Sequence, residues 1–274
     1  MKISIFTDEF KIDDVIEALD IIKSWNMKWV DFRGRIFGKP IHALDDVEFK
    51  QLRSLLDERG LRVACIESSL AKVHLPDETR QNEEAEKLEG IIRAADVLDC
   101  RLVRSFFYWQ PRKETPDQLG KLHELPELME RTLSMFQPLA ARARDAGLIL
   151  AFENCGVATW EVKAFINALG GNNLGLAWDV RNGWDWDVDL RGDDETAYIR
   201  DLTRLTHVIH VKGYGALPGK PDYIPYDRIL PVVAAEGFDG PVSIETHNSK
   251  PDMDNVKFSK QVLDHLHECI PAKS

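Results

Sequence analysis

Cysteine is scarce in this sequence, with four residues among 274, and no two of them lie close together. Small secreted domains that depend on disulfides carry many more cysteines for their length, and structural zinc motifs need paired CxxC spacing. Neither a disulfide framework nor a zinc knuckle is therefore expected. We interpret the cysteines as reduced thiols of a cytoplasmic protein, and they are Cys65, Cys100, Cys155 and Cys269.

The sequence also lacks long apolar runs and an excess of basic residues. No hydrophobic stretch approaches the roughly 20 residues that a membrane helix needs. The first ten residues, MKISIFTDEF, become acidic before an apolar leader could form. Asp and Glu number 46 against 35 Lys and Arg, which gives a formal net charge of −11. Such a surface repels phosphate backbones and anionic lipids, so we expect neither nucleic acid nor a membrane as partner.

A glycine-rich nucleotide-binding loop is missing too. The first apolar segment is followed by Thr7–Phe10, where an open dinucleotide-binding sheet would carry GxGxxG. What the chain does have is a series of eight short apolar segments, rich in β-branched residues, spread over its whole length. These predicted strands are Ile3–Phe6, Trp29–Phe32, Val63–Ile66, Leu102–Phe106, Leu148–Phe152, Leu174–Trp178, Val208–Val211 and Val242–Ile244.

Amphipathic segments with helical spacing separate the eight strands. Several end in a glycine just before the next strand, at Gly60, Gly147 and Gly237, as helix C-caps do. Strands that alternate with helices indicate parallel βαβ units, and eight such units predict one (β/α)8-barrel domain over residues 1–274, close to the typical length of about 250. The predicted helices are Asp13–Ser24, Val47–Arg59, Glu83–Leu98, Leu125–Ala146, Val162–Leu169, Ala197–Leu205, Tyr226–Glu236 and Asn255–Glu268.

Polar residues end the last four predicted strands, where a barrel builds its active site. They are Glu153, Asp179, His210 and Glu245. Residues two apart in a strand share a face, which tests whether all four can point inward. The residues two positions before them are small or modest, as a crowded barrel interior requires, and are Ala151, Ala177, Val208 and Ser243. The opposite parity sends large side chains outward, and these are Phe152, Trp178, Ile209 and Ile244. This parity also favours His210 over His207.

Three carboxylates that converge on one barrel mouth would repel one another, and unpaired buried carboxylates are costly. A divalent cation removes that repulsion. Three carboxylates with one imidazole suit Mn²⁺, Mg²⁺, Co²⁺ or Zn²⁺, and the absence of thiolates disfavours a structural zinc site. The sequence thus predicts one divalent metal bound by these four residues. The alternative, that each acid is a helix cap or a surface charge, is disfavoured because all four share one parity.

Further polar residues near the strand ends are candidates for binding substrate. Lys212 has inward parity, and the arginines suit hydroxyl or phosphate groups. The alternative for each is a structural ion pair that neutralises the acidic site. The predicted substrate-binding residues are Arg33, Glu67, Arg104, Asn154, Asn182, Lys212 and His247. Three long segments on the same face, where length usually indicates function, are Tyr108–Leu122, Arg181–Glu195 and Gly213–Pro225.

Four motifs carry a resemblance to a known family. AFENCG, LAWDVRNGW, VIHVKG and PVSIETH resemble the last four strands of the xylose isomerase-like TIM barrels. The opening SIFTDEF, with WVDFRG and LVRSFF, resembles the sugar phosphate isomerase/epimerase group of that superfamily. The resemblance implies that Glu153, Asp179, His210 and Glu245 hold a metal.

Two positions depart from the pattern of those relatives. Gly213 stands where family members often carry the Asp of a His-x-Lys-Asp motif, and Asn182 stands where ketose epimerases carry a substrate-binding His. The apurinic endonuclease branch uses several additional histidines, whereas this chain has eight in all. The resemblance therefore implies the superfamily without fixing the substrate.

The expected function is that of a metal-dependent isomerase or epimerase of a sugar or sugar phosphate. In such a reaction, Glu153 and Glu245 would exchange a proton with the substrate through a metal-stabilised enediolate, and Lys212 would stabilise its oxygen. Two alternatives stay open. One is a dehydratase of an inositol-like or shikimate-like substrate, and the other is a barrel that binds a metabolite without turnover. A homo-oligomer is a further expectation from the superfamily.

Overall fold

All eight predicted strands are present. The computed structural model describes residues 1–72, 80–109, 122–184, 187, 194–220, 222–247 and 254–271. Its strands are β1 (Lys2–Ile5), β2 (Trp29–Phe32), β3 (Arg62–Leu70), β4 (Leu102–Ser105), β5 (Ile149–Glu153), β6 (Leu174–Asp179), β7 (Thr206–Lys212) and β8 (Pro241–Glu245).

The strands form one parallel sheet in the order β1-β8-β7-β6-β5-β4-β3-β2. An isolated parallel bridge between Phe6 and Asp31 joins β1 to β2, so the sheet curls into a nearly closed barrel. Parallel neighbours need a crossover connection, and the helices between consecutive strands supply it. The predicted (β/α)8 barrel is confirmed.

The helices agree with the amphipathic segments to within a few residues at each end. Local sequence explains their limits. Asp45 accepts hydrogen bonds from the backbone of Val47 and Glu48 to begin α2, and Gly60 ends it in the left-handed region at φ 65°. The helices are α1 (Val15–Ser24), α2 (Asp46–Arg59), α3 (Gln81–Leu98), α4 (Pro126–Asp145), α5 (Thr159–Leu169), α6 (Val180–Trp184), α7 (Glu195–Thr203), α8 (Tyr226–Ala235) and α9 (Asn255–Cys269).

Side chains on the strands divide between two apolar clusters, as alternation predicts. A small cluster fills the barrel interior, and its buried members are Cys65, Ala151, Ala177 and Val208. The large cluster lies between the sheet and the helices and includes Phe152, Trp178, Ile209 and Ile244. The predicted parity is therefore confirmed for these positions. Small residues in the interior leave room for the polar side chains at the strand ends.

Two elements differ from the sequence prediction. Strand β3 extends to Leu70, beyond the predicted end at Ile66, because Leu70 pairs with Ser105 of β4 after a register shift. A short helix, α6, begins at Val180 and occupies the start of the long segment Arg181–Glu195. The backbone N–H of Asn182 donates to Asp179 Oδ1 at 2.9 Å, which favours a helical turn directly after β6.

No helix among the described residues is long and apolar enough to cross a membrane.

Candidate metal centre

Four buried side chains meet at the carboxyl end of the barrel. Glu153 ends β5, Asp179 ends β6, His210 lies two residues from the end of β7, and Glu245 ends β8. One potential ligand atom from each lies within 4.8 Å of the others. The strand register explains the convergence, because Asp179 pairs with His210 on the neighbouring strand. The arrangement could hold one metal ion.

Each carboxylate of this cluster is paired with a different cation. Arg104 donates to Glu153 Oε2 at 2.9 Å, and Lys212 donates to Asp179 Oδ2 at 2.8 Å. Arg33 donates to Glu245 Oε1 at 2.7 Å. Lys212 Nζ also lies 3.8 Å from Glu153 Oε1 and from Glu245 Oε2, so it faces all three acids. These charge-assisted bonds fix the orientation of each carboxylate.

The pKa values reflect this dense pairing. Burial raises the pKa of Asp179, and the opposing charge of Lys212 does not cancel that effect. Burial also opposes ionisation of Glu245, but the hydrogen bond from His247 and nearby cations hold its pKa well below the usual range. Burial disfavours charge on His210, yet Glu67 and other carboxylates raise its pKa to about 9. The buried carboxylates thus stabilise positive charge on the groups beside them.

Charge within the network remains unbalanced. Six carboxylates face three permanent cations and two histidines through ion pairs of 4.0 Å or less. The acids are Asp8, Glu9, Glu67, Glu153, Asp179 and Glu245, and the cations are Arg33, Arg104 and Lys212. Even with both His210 and His247 protonated, negative charge is in excess. A divalent cation would offset that excess.

Buried polar atoms without a hydrogen-bond partner test whether a metal fits. Within the described part of the chain, both ring nitrogens of His210 and Oε2 of Glu245 are buried and have no hydrogen-bond partner. His210 Nδ1 lies 3.6 Å from Glu245 Oε2. An unsatisfied buried polar atom costs about 1–3 kcal/mol, which a cation bound by both atoms would remove. The donor set of oxygen and imidazole nitrogen also suits a divalent metal. The residues present therefore fit a metal.

Three of the predicted substrate-binding residues are buried and engaged with protein groups. Glu67 is fully buried, with Oε1 3.4 Å from His210 Nε2. Arg104 contacts Glu67 and Glu153 and donates to the backbone oxygen of Ser68. Asn154 holds the ends of β5 and β6 together through both backbone groups of Asp179, at 2.8 and 2.9 Å. Their positions favour support of the cluster, and substrate contact by them stays a prediction.

The other four lie partly exposed. Lys212 and Asn182 lie beside Asp179, through the side chain and the backbone N–H respectively. Arg33 and His247 both contact Glu245. His247 is the most exposed of the four at 44% of its side chain. Their substrate contacts also stay a prediction.

Sequence reasoning missed two acids of the network, Asp8 and Glu9, and one further buried acid, Asp31. Asp8 and Glu9 follow β1 and accept from Arg33 at 2.8 and 2.7 Å. The acidic pair directly after an apolar strand was the available signal. Asp31 is fully buried on β2 and accepts from the backbone N–H of Cys65 at 3.0 Å. Burial raises its pKa to about 7. Its position inside the apolar segment WVDF could have identified it.

Comparison with known proteins decides the family. The family model described as xylose isomerase-like TIM barrel matches residues 19–269. The chain belongs to this family. No curated protein sequence matches it. The resemblance noted from the strand motifs is confirmed.

Structural similarity supports the same fold. A D-psicose 3-epimerase from Clostridium cellulolyticum H10, crystallised with D-tagatose, is 14% identical and covers 99% of this chain and 100% of its own, with a TM-score of 0.77. A xylose isomerase-like TIM barrel protein from Mycobacterium smegmatis in complex with magnesium is 18% identical, with 98% of each chain covered and a TM-score of 0.68. A probable 3-DHS dehydratase from Bacillus anthracis is 14% identical and covers 96% and 99%, with a TM-score of 0.71.

Of the three long segments, Gly213–Pro225 is described apart from residue 221, and the other two are described mainly at their edges. Trp109 is buried, and its Nε1 donates to Glu161 Oε1 at 2.9 Å, so this side chain packs inside the protein. Trp184 is buried against Tyr198. Most of Tyr108–Leu122 and Arg181–Glu195 lies outside the described residues.

Proposed function

We propose that this protein is a metal-dependent isomerase or epimerase of a sugar or sugar phosphate. The observation that carries the proposal is the convergence of Glu153, Asp179, His210 and Glu245. Among the described residues, buried atoms of His210 and Glu245 face each other without a hydrogen-bond partner. Structural neighbours that include D-psicose 3-epimerase and L-ribulose 3-epimerase support a sugar as substrate. A neighbour crystallised with magnesium supports a divalent metal.

The same four residues would hold the metal, with Mn²⁺, Mg²⁺, Co²⁺ and Zn²⁺ as candidates. When bound, a divalent cation supplies a Lewis acid that polarises a carbonyl and acidifies the adjacent C–H. The protein contributes rigidity, because every carboxylate of the cluster is already oriented by Arg33, Arg104 or Lys212. Preorganised charge of this kind is a large part of enzymatic rate enhancement.

Glu153 and Glu245 are the proposed proton carriers. They lie on β5 and β8, three positions apart around the barrel, and thus on different sides of the mouth. In an epimerisation, one removes the proton from a carbon and the other returns a proton to the opposite face. In an isomerisation, one carboxylate can move the proton to the neighbouring carbon. Lys212 faces both glutamates at 3.8 Å and would stabilise negative charge that develops on the substrate oxygen.

Metal content is the first test. Purified wild-type protein should contain about one Mn, Mg, Co or Zn per chain by elemental mass spectrometry. Glu153→Gln and His210→Ala should lose it while their circular dichroism spectra remain native, because each removes one ligand. Glu58→Gln, on the exposed face of α2, is the matched control and should retain the metal. Absence of metal from wild type, even after incubation with each ion, would contradict the proposal.

Turnover is the second test. With the bound metal supplied, a panel of ketoses and aldoses in D₂O should show deuterium incorporation at the reacting carbon by NMR. Glu153→Gln should lower that exchange by at least about 100-fold, the usual contribution of a general base. If sugars stabilise the protein against heat but none is exchanged or converted, the barrel binds a metabolite without turnover.

A dehydratase is the second candidate, and Asn182 favours it. Ketose epimerases carry a substrate-binding histidine at the position that Asn182 occupies in this chain. The structural neighbour described as a probable 3-DHS dehydratase supports this alternative. Cyclic polyhydroxy ketones should then lose water, with growth of an enone absorbance, whereas sugars would show no exchange. A cytoplasmic location and a homo-oligomer stay predictions from the sequence.

A further inference from the structure

A second group of potential ligands lies beside the first. Glu9, Glu245 and His247 offer atoms within 4.8 Å of one another, and Glu245 belongs to both groups. Two carboxylates and an imidazole are a suitable donor set for a second divalent ion. The chemistry of the residues alone therefore allows a two-metal centre bridged by Glu245.

The guanidinium of Arg33 lies among those same acids. It donates through three nitrogens, to Asp8 Oδ2 at 2.8 Å, Glu9 Oε1 at 2.7 Å and Glu245 Oε1 at 2.7 Å. Arginine stays charged at all physiological pH values and cannot be displaced by deprotonation. The position between Glu9 and Glu245 thus already holds a fixed positive charge.

His247 completes the enclosure of Glu245. Its Nε2 lies 3.0 Å from Glu245 Oε1, and its Nδ1 lies 3.2 Å from Glu9 Oε1. The backbone of His247 is left-handed at φ 44° and is held there by a 2.7 Å hydrogen bond from its N–H to Glu9 Oε2. A non-glycine residue in this region is strained, and such strain concentrates at functional sites.

The two oxygens of Glu245 therefore have opposite surroundings. Oε1 is contacted by both Arg33 and His247, whereas Oε2 is buried with no hydrogen-bond partner among the described residues. Oε2 faces His210 Nδ1 at 3.6 Å, on the side of the four-residue cluster.

We propose that Arg33 and His247 are positioning residues that keep this centre mononuclear: Arg33 replaces a second metal between Glu9 and Glu245, and together they leave only Oε2 of Glu245 for the first metal. The inference rests on the metal site of the proposed function. It assigns Arg33 and His247 a task other than substrate binding, and it distinguishes this barrel from two-metal centres built from similar ligands.

Manganese stoichiometry tests the assignment. Wild type should bind one Mn²⁺ per chain by equilibrium dialysis and give the EPR spectrum of an isolated ion. Arg33→Ala removes the fixed cation and should bind two ions, with a spectrum broadened by exchange coupling. Arg33→Lys keeps a cation and should bind one. A structural role for Arg33 alone would alter stability without adding a second ion.

His247→Ala provides a variant that should fold, since this side chain is partly exposed. It should bind one Mn²⁺ with a Kd raised about 10- to 100-fold, the usual effect of losing a residue that orients a ligand. His267→Ala, on the exposed face of α9, is the matched control and should leave the Kd unchanged.

Two results would overturn the inference alone. One is two ions in wild type, and the other is a single ion in Arg33→Ala or an unchanged Kd in His247→Ala. If Arg33→Ala does not fold, an unchanged Kd in His247→Ala is sufficient to reject it. Absence of any Mn²⁺ from wild type would instead reject the metal site itself, and the proposed function with it.

Discussion

Asp31 is a carboxyl group in the barrel interior, in register with Cys65 and away from bulk water. Because its pKa rises from 3.8 to about 7 on folding, the folded protein keeps a proton that the unfolded chain has lost. Its contribution to the free energy of unfolding is thus greatest below about pH 4, declines as the pH rises through 7, and stays reduced above that.

Asp31→Asn tests this dependence. The amide retains an acceptor for the N–H of Cys65 but carries no charge, so the variant should be more stable than wild type at pH 8 by about 1–3 kcal/mol. The difference should vanish towards pH 4. Urea unfolding of metal-free protein across this range measures it, with exposed Asp239→Asn as control. Parallel pH profiles for wild type and Asp31→Asn would rule out the assignment.

At the residue scale, the sequence predicted which side chains could meet but not how they pair. Alternation along each strand is a local property, and it was enough to direct Glu153, Asp179, His210 and Glu245 inward. The three contacts of Arg33 depend on its rotamer and on acids that follow a different strand. Neither follows from the spacing around position 33.

Helix α5 shows how an element positions a neighbouring segment. Glu161, in its first turn, is fully buried and accepts from Trp109 Nε1, from Leu122 N and from Ala158 N, each at 2.9 Å. Trp109 and Leu122 flank the segment 110–121. One carboxylate therefore fixes both ends of that segment to the start of the helix that follows β5.

Glu161→Gln should destabilise the protein by about 1–3 kcal/mol, because an amide cannot accept from donors at both of its ends and leaves a buried N–H without a partner. Trp109→Phe removes one donor while keeping an aromatic ring, and its loss of stability should be smaller. Thermal unfolding of both variants gives the comparison. Equal losses, or none, would show that the carboxylate does not fix this segment.

At the element scale, boundaries followed from capping residues where these are local. Gly60 ends α2 as predicted, and Asp45 caps its start at Asp46, one residue before the predicted start at Val47. The extension of β3 to Leu70 was not predictable, because it depends on pairing with Ser105 across a register shift. The helix α6 was not predicted for a similar reason. Its first turn is stabilised by Asp179, a residue assigned to the end of the preceding strand.

At the scale of the whole molecule, a bound metal should link strands β5, β6, β7 and β8 and so stabilise the folded protein. Saturation at 100 times Kd adds about 2.7 kcal/mol to the free energy of unfolding, which for a chain of this size raises Tm by roughly 5–10 °C. Differential scanning fluorimetry with EDTA and with excess Mn²⁺ measures the shift. Asp179→Asn should show little of it, whereas the control Glu58→Gln should match wild type. An unchanged Tm in wild type would count against the site.

The architecture of the whole chain was the most predictable feature, because eight repeats of one pattern reinforce one another even where single boundaries are wrong. A single domain over residues 1–274 stays a prediction. Substrate identity was not predictable, since hydroxyl recognition depends on loop side chains whose positions are not set by strand periodicity. Asn182 and Gly213 mark two places where the sequence motifs predict a departure from the family pattern.

The pairing of each site acid with its own cation has an evolutionary consequence. Glu245 and Arg33 are 212 positions apart in the chain yet share a 2.7 Å bond in a partly buried setting. Loss of either partner changes the charge balance of the network, a defect that selection would act against. Drift at one position is therefore tolerated only with a matching change at the other. Across homologues, positions 33 and 245 should therefore covary. The same is expected of Glu153 with Arg104 and of Asp179 with Lys212.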